Sequence, residues 1–231
     1  MDNRYYFSRI EDNKVIIEGQ EAQHLLKVRR CALFDCVVGF NGDGYDYHLK
    51  IAEILKDKVK AEILNKTKNH ANDETNTTVY LAMIKNDALS EAIDHLAELN
   101  VKHVKLFESD RTVAVVENKK LDKLRLQSIQ ASKQCERADI MEISIIDKKE
   151  IEKDIKNFEN KFFAFEDSTG KIQPFKGDFA VIIGPEGGFS EQENEYFSSF
   201  AKNVSLSKTI LRAEVACVVA VSSLKAVNYD S

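Results

Sequence analysis

The sequence predicts two folds in one chain: a small barrel-like β domain over residues 1–70, then an α/β domain with a mostly parallel sheet over residues 71–231. Three observations predict this division. Short alternating apolar stretches occupy the first segment, and Asn41-Gly42-Asp43-Gly44 marks a tight hairpin within it. Lys66 to Thr78 is polar throughout and has no apolar period, which reads as a linker. From Val79 onward, apolar runs of strand length alternate with segments of helical period.

Taken in order, Val15-Ile16-Ile17, Cys36 to Phe40, Tyr45 to Ile51 and Val59 to Leu64 carry strand patterns, and a short helix falls around Glu21 to Val28. Beyond the linker, Val79 to Ile84 is a buried strand. Asp87 to Leu99 is a helix with Leu89, Ala92, Ile93 and Leu96 on one face. Val101 to Phe107 is a strand, Leu121 to Glu136 a helix, and Phe162 to Phe165 and Phe179 to Ile183 are strands. Val204 to Leu206 is a short strand before a helix from Arg212 to Val227, in which Ala213, Ala216, Cys217, Ala220, Val221 and Leu224 keep helical spacing. Strand and helix in alternation imply crossovers and parallel pairing.

The net charge of −5 excludes a protein that holds nucleic acid through an overall basic surface. Residues 1–70 hold 12 basic and 11 acidic side chains against 21 and 27 in residues 71–231, so any RNA contact is local. Cys31, Cys36, Cys135 and Cys217 are scattered without Cys-x-x-Cys or histidine at zinc-ligand spacing, which predicts reduced thiols and no metal site. No apolar run approaches a membrane span, and Met1 to Tyr6 lacks a secretory pattern, so a cytoplasmic protein without membrane contact is expected.

Two strand-to-helix loops concentrate unusual residues. Ile183-Gly184-Pro185-Glu186-Gly187-Gly188-Phe189-Ser190 follows a buried strand, and Ser190 to Glu193 has capping-box spacing. Leu206-Ser207-Lys208-Thr209-Ile210-Leu211-Arg212-Ala213-Glu214 again runs from strand into helix. Ligands in open α/β sheets bind beyond the carboxyl ends of strands. A strand-to-helix turn also needs glycine without any ligand, and Glu214 suits the first turn of a helix for its dipole alone. Neither loop carries a phosphate-binding glycine pattern, so a triphosphate or pyrophosphate is disfavoured. In the first segment, His24, Lys27, Arg29 and Arg30 cluster, with Arg4 and Arg9 elsewhere, and such side chains suit phosphates or a solvated face.

These residues resemble the ribosomal RNA small-subunit methyltransferase E family of the SPOUT class. The resemblance rests on Ile183-Gly184-Pro185-Glu186-Gly187-Gly188-Phe189 followed by Leu206 and Ile210-Leu211-Arg212-x-Glu214-x-Ala216. His24…Val28-x-Arg30 with Asp35, Asn41-Gly42 with Tyr47, Lys85, Glu98-Leu99, Arg111 and Gln134-x-x-Arg137 extend it over nearly the whole chain. Departures are Asn100, Ser207, Thr209 and Val215 where the family has Gly, Gly, Arg and Thr, and Lys133 and Met141 in place of Glu and Pro.

The resemblance implies a PUA-like β-barrel for RNA binding, then a SPOUT domain whose carboxy-terminal segment threads a deep trefoil knot. Topology rules alone would not propose a knot. It implies a homodimer that uses S-adenosyl-L-methionine to methylate uridine N3 in the decoding region of 16S rRNA, within the assembled small ribosomal subunit. Cofactor contacts would come from Ile183, Gly184, Pro185, Glu186, Gly187, Gly188, Leu206, Ser207, Ile210, Leu211 and Ala216. Arg212, Glu186 and Glu214 are the catalytic candidates, and Arg4, His24, Lys27, Arg29, Arg30, Arg111 and Arg137 the RNA-facing set. The alternatives are a non-catalytic RNA-binding or ribosome-assembly protein with the same fold, and a nucleotide-dependent enzyme on an ordinary doubly wound sheet.

Overall fold

The hairpin at Asn41–Gly44 turns the first sheet. Gly42 and Gly44 sit at φ +94° and +84°, a region open to glycine, and the flanking strands pair antiparallel. The computed structural model describes residues 4–112, 114, 116–166 and 168–228. It divides into two compact units, Met1–Asn72 with Ile129–Ile140, and Asp73–Ser128 with Met141–Ser231.

In the first unit, β1 (Arg4–Tyr6), β2 (Arg9–Glu11), β3 (Lys14–Glu18), β4 (Cys36–Phe40), β5 (Tyr45–Ile54) and β6 (Lys58–Lys68) form one sheet in the order β1-β4-β5-β6-β3-β2. Only β1 and β4 pair in parallel. The long β5–β6 ladder slips register at His48/Leu49 and at Ile51/Glu53. Each slip bends the strands, and the sheet curls over a core of Tyr5, Phe7, Val15, Ile17, Leu49 and Val59. Tyr47, Leu49 and Ile51 are buried at alternate positions of β5, the period that places one strand face on a core. The short helix is α1 (Gly19–Gln23), which runs on into a wider π-helical turn over His24–Val28.

In the second unit, β7 (Thr77–Ala82), β8 (His103–Phe107), β9 (Glu142–Ile145), β10 (Asn160–Ala164), β11 (Phe179–Ile183) and β12 (Lys202–Val204) form a wholly parallel sheet in the order β12-β10-β11-β7-β8-β9. The connecting helices are α2 (Asn86–Glu98), α3 (Asn118–Gln134), whose residues from Ile129 onward belong to the first unit, α4 (Ile151–Ile155) and α5 (Glu191–Ser198), and α6 (Ala213–Val227) follows the last strand. Central strands β7 and β11 are buried along their full length, as expected of parallel strands covered on both faces. The last helix packs against α2 and β11 through the stripe its sequence predicts, with Cys217, Ala220, Val221 and Leu224 fully buried.

Several local expectations change. The stretch Lys66 to Thr78 is not a linker throughout: β6 continues to Lys68 opposite Tyr45, and Thr77 already pairs with Phe179. Its polar residues serve hydrogen bonds: the Asn69 amide donates to Asp46 at 2.7 Å and to the Glu136 carbonyl at 2.9 Å. The last strand falls at Lys202–Val204, two residues before the apolar stretch that suggested it. Asn100 ends α2 at φ +59°. Val101 N–H reaches Leu96 O at 3.0 Å and Asn100 N–H reaches Ala97 O at 3.1 Å, a Schellman closure in which asparagine tolerates the left-handed position better than most residues.

Candidate functional site

Because β12, β10 and β11 are parallel neighbours, the chain leaves all three at one edge of the sheet. The loops that follow enclose a cavity of about 360 Å³, a volume ordinary for a small-molecule site. Ile183, Gly184, Pro185 and Gly188 line it from one side, and Leu206, Ser207, Ile210, Leu211 and Ala216 from the other. The two loops singled out by sequence therefore border one crevice. Phe165, Glu166 and Asn194 also line it. The carboxyl-end rule would have found Phe165 and Glu166, which directly follow a predicted strand, whereas nothing local marks Asn194 within α5.

The first loop is shaped by its own residues. Pro185 O accepts from Gly188 N–H at 3.0 Å, and Gly188 takes φ +67°. A side chain on Gly184 would meet the Phe189 ring at 2.9 Å, so glycine there lets Phe189 fold back under the loop. That ring is buried among Phe107, Phe163 and Phe197. Ser190 and Glu193 form the predicted capping box at the start of α5. The buried Glu193 also accepts from Asp110 N–H at 2.9 Å and the Lys148 ammonium at 2.8 Å, and Ser190 Oγ donates to Asp110 at 2.7 Å. Hydrogen bonds from Lys148 and Ser190 hold the Asp110 carboxyl below the usual carboxylate range.

In the second loop Ser207, where the resemblance expects glycine, carries no backbone cost, since it is not in a left-handed conformation. Its Oγ accepts from Thr209 N–H at 3.1 Å and lies 3.0 Å from Thr209 Oγ1, so both departures close the loop on itself. The long connection between β10 and β11 embraces the carboxy-terminal segment at both ends. Gly170 O accepts from Ser205 N–H at 2.9 Å, Phe175 N–H donates to Val227 O at 3.3 Å, and the Asn228 amide exchanges hydrogen bonds of 3.2 and 2.9 Å with Gly177.

Other predicted residues fall elsewhere. Glu186 and Gly187 are exposed and do not line the cavity: Glu186 Oε1 accepts from Lys85 N–H at 3.0 Å, and Gly187 O accepts from Arg111 at 3.1 Å. Arg111 is thereby tied to the glycine loop. Arg212 and Glu214 pair at 3.2 Å around the start of α6, the arginine side chain 79% exposed and the carboxylate 5%.

The RNA-facing set divides. Lys27, Arg29 and Arg30 are exposed, and His24 is half-buried with its ring 5.9 Å from that of Tyr5. Arg137 and Arg4, unlike the other members of that set, are buried. Arg137 is fully buried and pairs with Asp139 at 2.7 Å, and Arg4 is buried, pairs with Asp46 and donates to Arg137 O at 3.0 Å. Both guanidiniums are held inside the first unit by these acceptors. Among the described residues no group of three His, Cys, Asp or Glu is arranged to hold a metal ion, and no helix is long and apolar enough to cross a membrane.

Known proteins agree with this architecture. Over 96% of its length the chain is 28% identical to 95% of a ribosomal RNA small subunit methyltransferase E from Rickettsia conorii. The namesake from Bacillus subtilis is 27% identical over 90% of this chain and 88% of its own. The crystal structure of a ribosomal RNA small subunit methyltransferase E from Neisseria gonorrhoeae bound to S-adenosyl methionine superposes with a TM-score of 0.82, covering 98% of each chain at 22% identity. Residues 71–225 match the family model of the RNA methyltransferase domain, and the chain belongs to that family.

Proposed function

We propose that this protein transfers a methyl group from S-adenosyl-L-methionine to N3 of a uridine in the decoding region of 16S rRNA, within the assembled small ribosomal subunit in the cytoplasm. The carrying observation is the cavity beyond β10, β11 and β12, walled by the Gly184 and Leu206 loops. The family match and the cofactor-bound relative support the same reading.

The cavity residues fit this cofactor. Ile183, Phe165, Leu206 and Leu211 offer flat apolar walls to an adenosine, and no phosphate-binding pattern is present. Asn194 Oδ1 is buried at the cavity without a hydrogen-bond partner, an acceptor waiting for a donor. Bound there, the cofactor supplies an electrophilic methyl group. Gly184, Gly188, Leu206 and Leu211 shape its pocket.

Arg212 stabilises the negative charge that develops on the uracil as N3 loses its proton. Glu214, buried and paired with Arg212, orients that guanidinium. Glu186, exposed on the Gly184 loop, is the candidate to accept the proton. The first unit is a PUA-like β-barrel that binds RNA through Lys27, Arg29, Arg30 and His24, and the second is a SPOUT α/β-knot domain. The grip of the β10–β11 connection on both Ser205 and Asn228 supports a threaded carboxy-terminal segment. Val215, Val218 and Val219 on α6 stay half-exposed beside its buried stripe, which supports a homodimer face.

The test gives the protein labelled S-adenosyl-L-methionine and small subunits lacking the modification, then maps the methylated base. With RNA saturating, Arg212→Ala is expected to slow single-turnover transfer by about 10²-fold or more, the usual loss of one charge-stabilising donor. An unchanged rate removes Arg212 from that role.

A further inference from the structure

Between the π-helical turn and β4, the first unit carries two non-glycine residues in left-handed backbone: Arg30 at φ +55° and Phe34 at φ +74°. A bulky aromatic residue rarely adopts this conformation, and such strain persists only where neighbours impose it. Here they do. Phe34 N–H donates to Ile51 O at 2.8 Å, Ile51 N–H donates to Asp35 O at 2.9 Å, and Asp35 Oδ2 accepts from Ala32 N–H at 2.8 Å. Yet the side chain buries little on folding: Phe34 is 68% exposed, next to Leu33 at 48% and close in sequence to Val28 at 66%. The Lys50 ammonium lies 5.2 Å from the Phe34 ring centroid, and Lys27, Arg29 and Arg30 on the same short segment are all exposed.

An exposed aromatic ring on a constrained backbone, beside one ammonium and close in sequence to further cations, suits single-stranded nucleic acid, with bases stacking on the ring and phosphates meeting the charges. We propose that Phe34 is a stacking platform for an unpaired base of RNA, with Lys50, Arg30 and Lys27 neutralising the adjoining phosphates. The choice of RNA rests on the functional reading above. Local charge suits a polyanion: the one acid within the segment, Asp35, already accepts the Ala32 N–H.

The chain contains no tryptophan, so Phe34→Trp introduces a single indole whose fluorescence reports stacking directly. The full-length variant is titrated with oligouridylate of ~10 nucleotides and with an RNA duplex of equal length. Quenching by the single strand and not by the duplex is expected. Phe34→Gly keeps the backbone conformation without strain, so its urea midpoint should equal or exceed that of the wild type while single-strand affinity falls about 5- to 150-fold. Phe34→Tyr should retain affinity. Arg30→Ala should flatten the salt dependence by about 0.7 in slope, and Phe34→Gly should leave that slope unchanged.

Wild-type affinity in Phe34→Gly, or absence of quenching, overturns the platform. So does a Phe34→Gly variant that changes oligomeric state in sedimentation while binding RNA normally, since the patch then belongs to another copy. Methylation of small subunits by the wild type is scored separately. Quenching without methyl transfer defeats only the functional reading, and methyl transfer without quenching defeats only the platform.

Discussion

Replacing Gly184 by alanine tests how the glycine loop is built. The new Cβ would lie 2.9 and 3.1 Å from two edge carbons of the Phe189 ring. Ordinary carbon contact begins at about 3.5 Å, so the ring must retreat by roughly 0.5 Å. It has little room: Phe107 stacks parallel to it at 6.3 Å, Phe163 lies at 5.4 Å and Phe197 at 5.0 Å between centroids. Overpacking of this kind costs about 1–3 kcal/mol. Gly184 and Phe189 both line the cavity, so S-adenosyl-L-methionine binding should weaken as well, tenfold for every ~1.4 kcal/mol lost from the bound geometry. In the Gly184→Ala, Phe189→Leu double variant the planar edge is gone, and the pair should be less destabilised than the sum of the singles by about 1 kcal/mol or more. Urea midpoints at constant m-value measure stability, and calorimetry measures the cofactor. Strictly additive singles, or a wild-type midpoint in Gly184→Ala, would refute the reasoning.

Other perturbations probe the carboxy-terminal segment and its anchors. A Cβ on Gly170 would fall 2.3 Å from the Asn203 carbonyl oxygen, a backbone atom that cannot rotate away, so Gly170→Ala should destabilise by more than ~3 kcal/mol and raise protease sensitivity of the β10–β11 connection. Near-wild-type melting would show that this connection is not clamped. Burial pushes the Asp73 carboxyl up, but hydrogen bonds from the Lys225 ammonium and Thr75 N–H outweigh it and hold its pKa below the usual range. A depressed folded pKa means that this stabilisation is complete above the unfolded value of about 3.9 and disappears as pH falls through the folded value. Asp73→Asn should therefore cost about 1–3 kcal/mol at pH 7, with the gap from wild type closing in acid; a gap independent of pH would exclude the ion pair.

Much of the candidate site was legible because it obeys local rules. Strand β11 is buried on both faces, so its apolar run is continuous, and the turn out of it needs Gly184 and Gly188 for reasons of space and φ. Ser190 and Glu193 announce the helix that follows. The short strands β1 and β2 and strand β9 were not legible. Their stability comes from partners distant in sequence, such as Val38 opposite Arg4 or Val104 opposite Ile143, and four or fewer residues carry no readable period.

The sequence by itself determined the change from an alternating β pattern to strand-helix alternation, the position of both cavity loops, and the lack of a phosphate-binding glycine pattern. These depend on period, glycine and capping, which act over a few residues. Only the tertiary structure decided that Ile129–Ile140 packs with the first unit, that Arg137 and Arg4 are buried, and that Glu186 is exposed and does not line the cavity its neighbours line. A charged residue reads the same in sequence whether it meets solvent, phosphate or a buried carboxylate. Its partner, chosen by long-range packing, settles which.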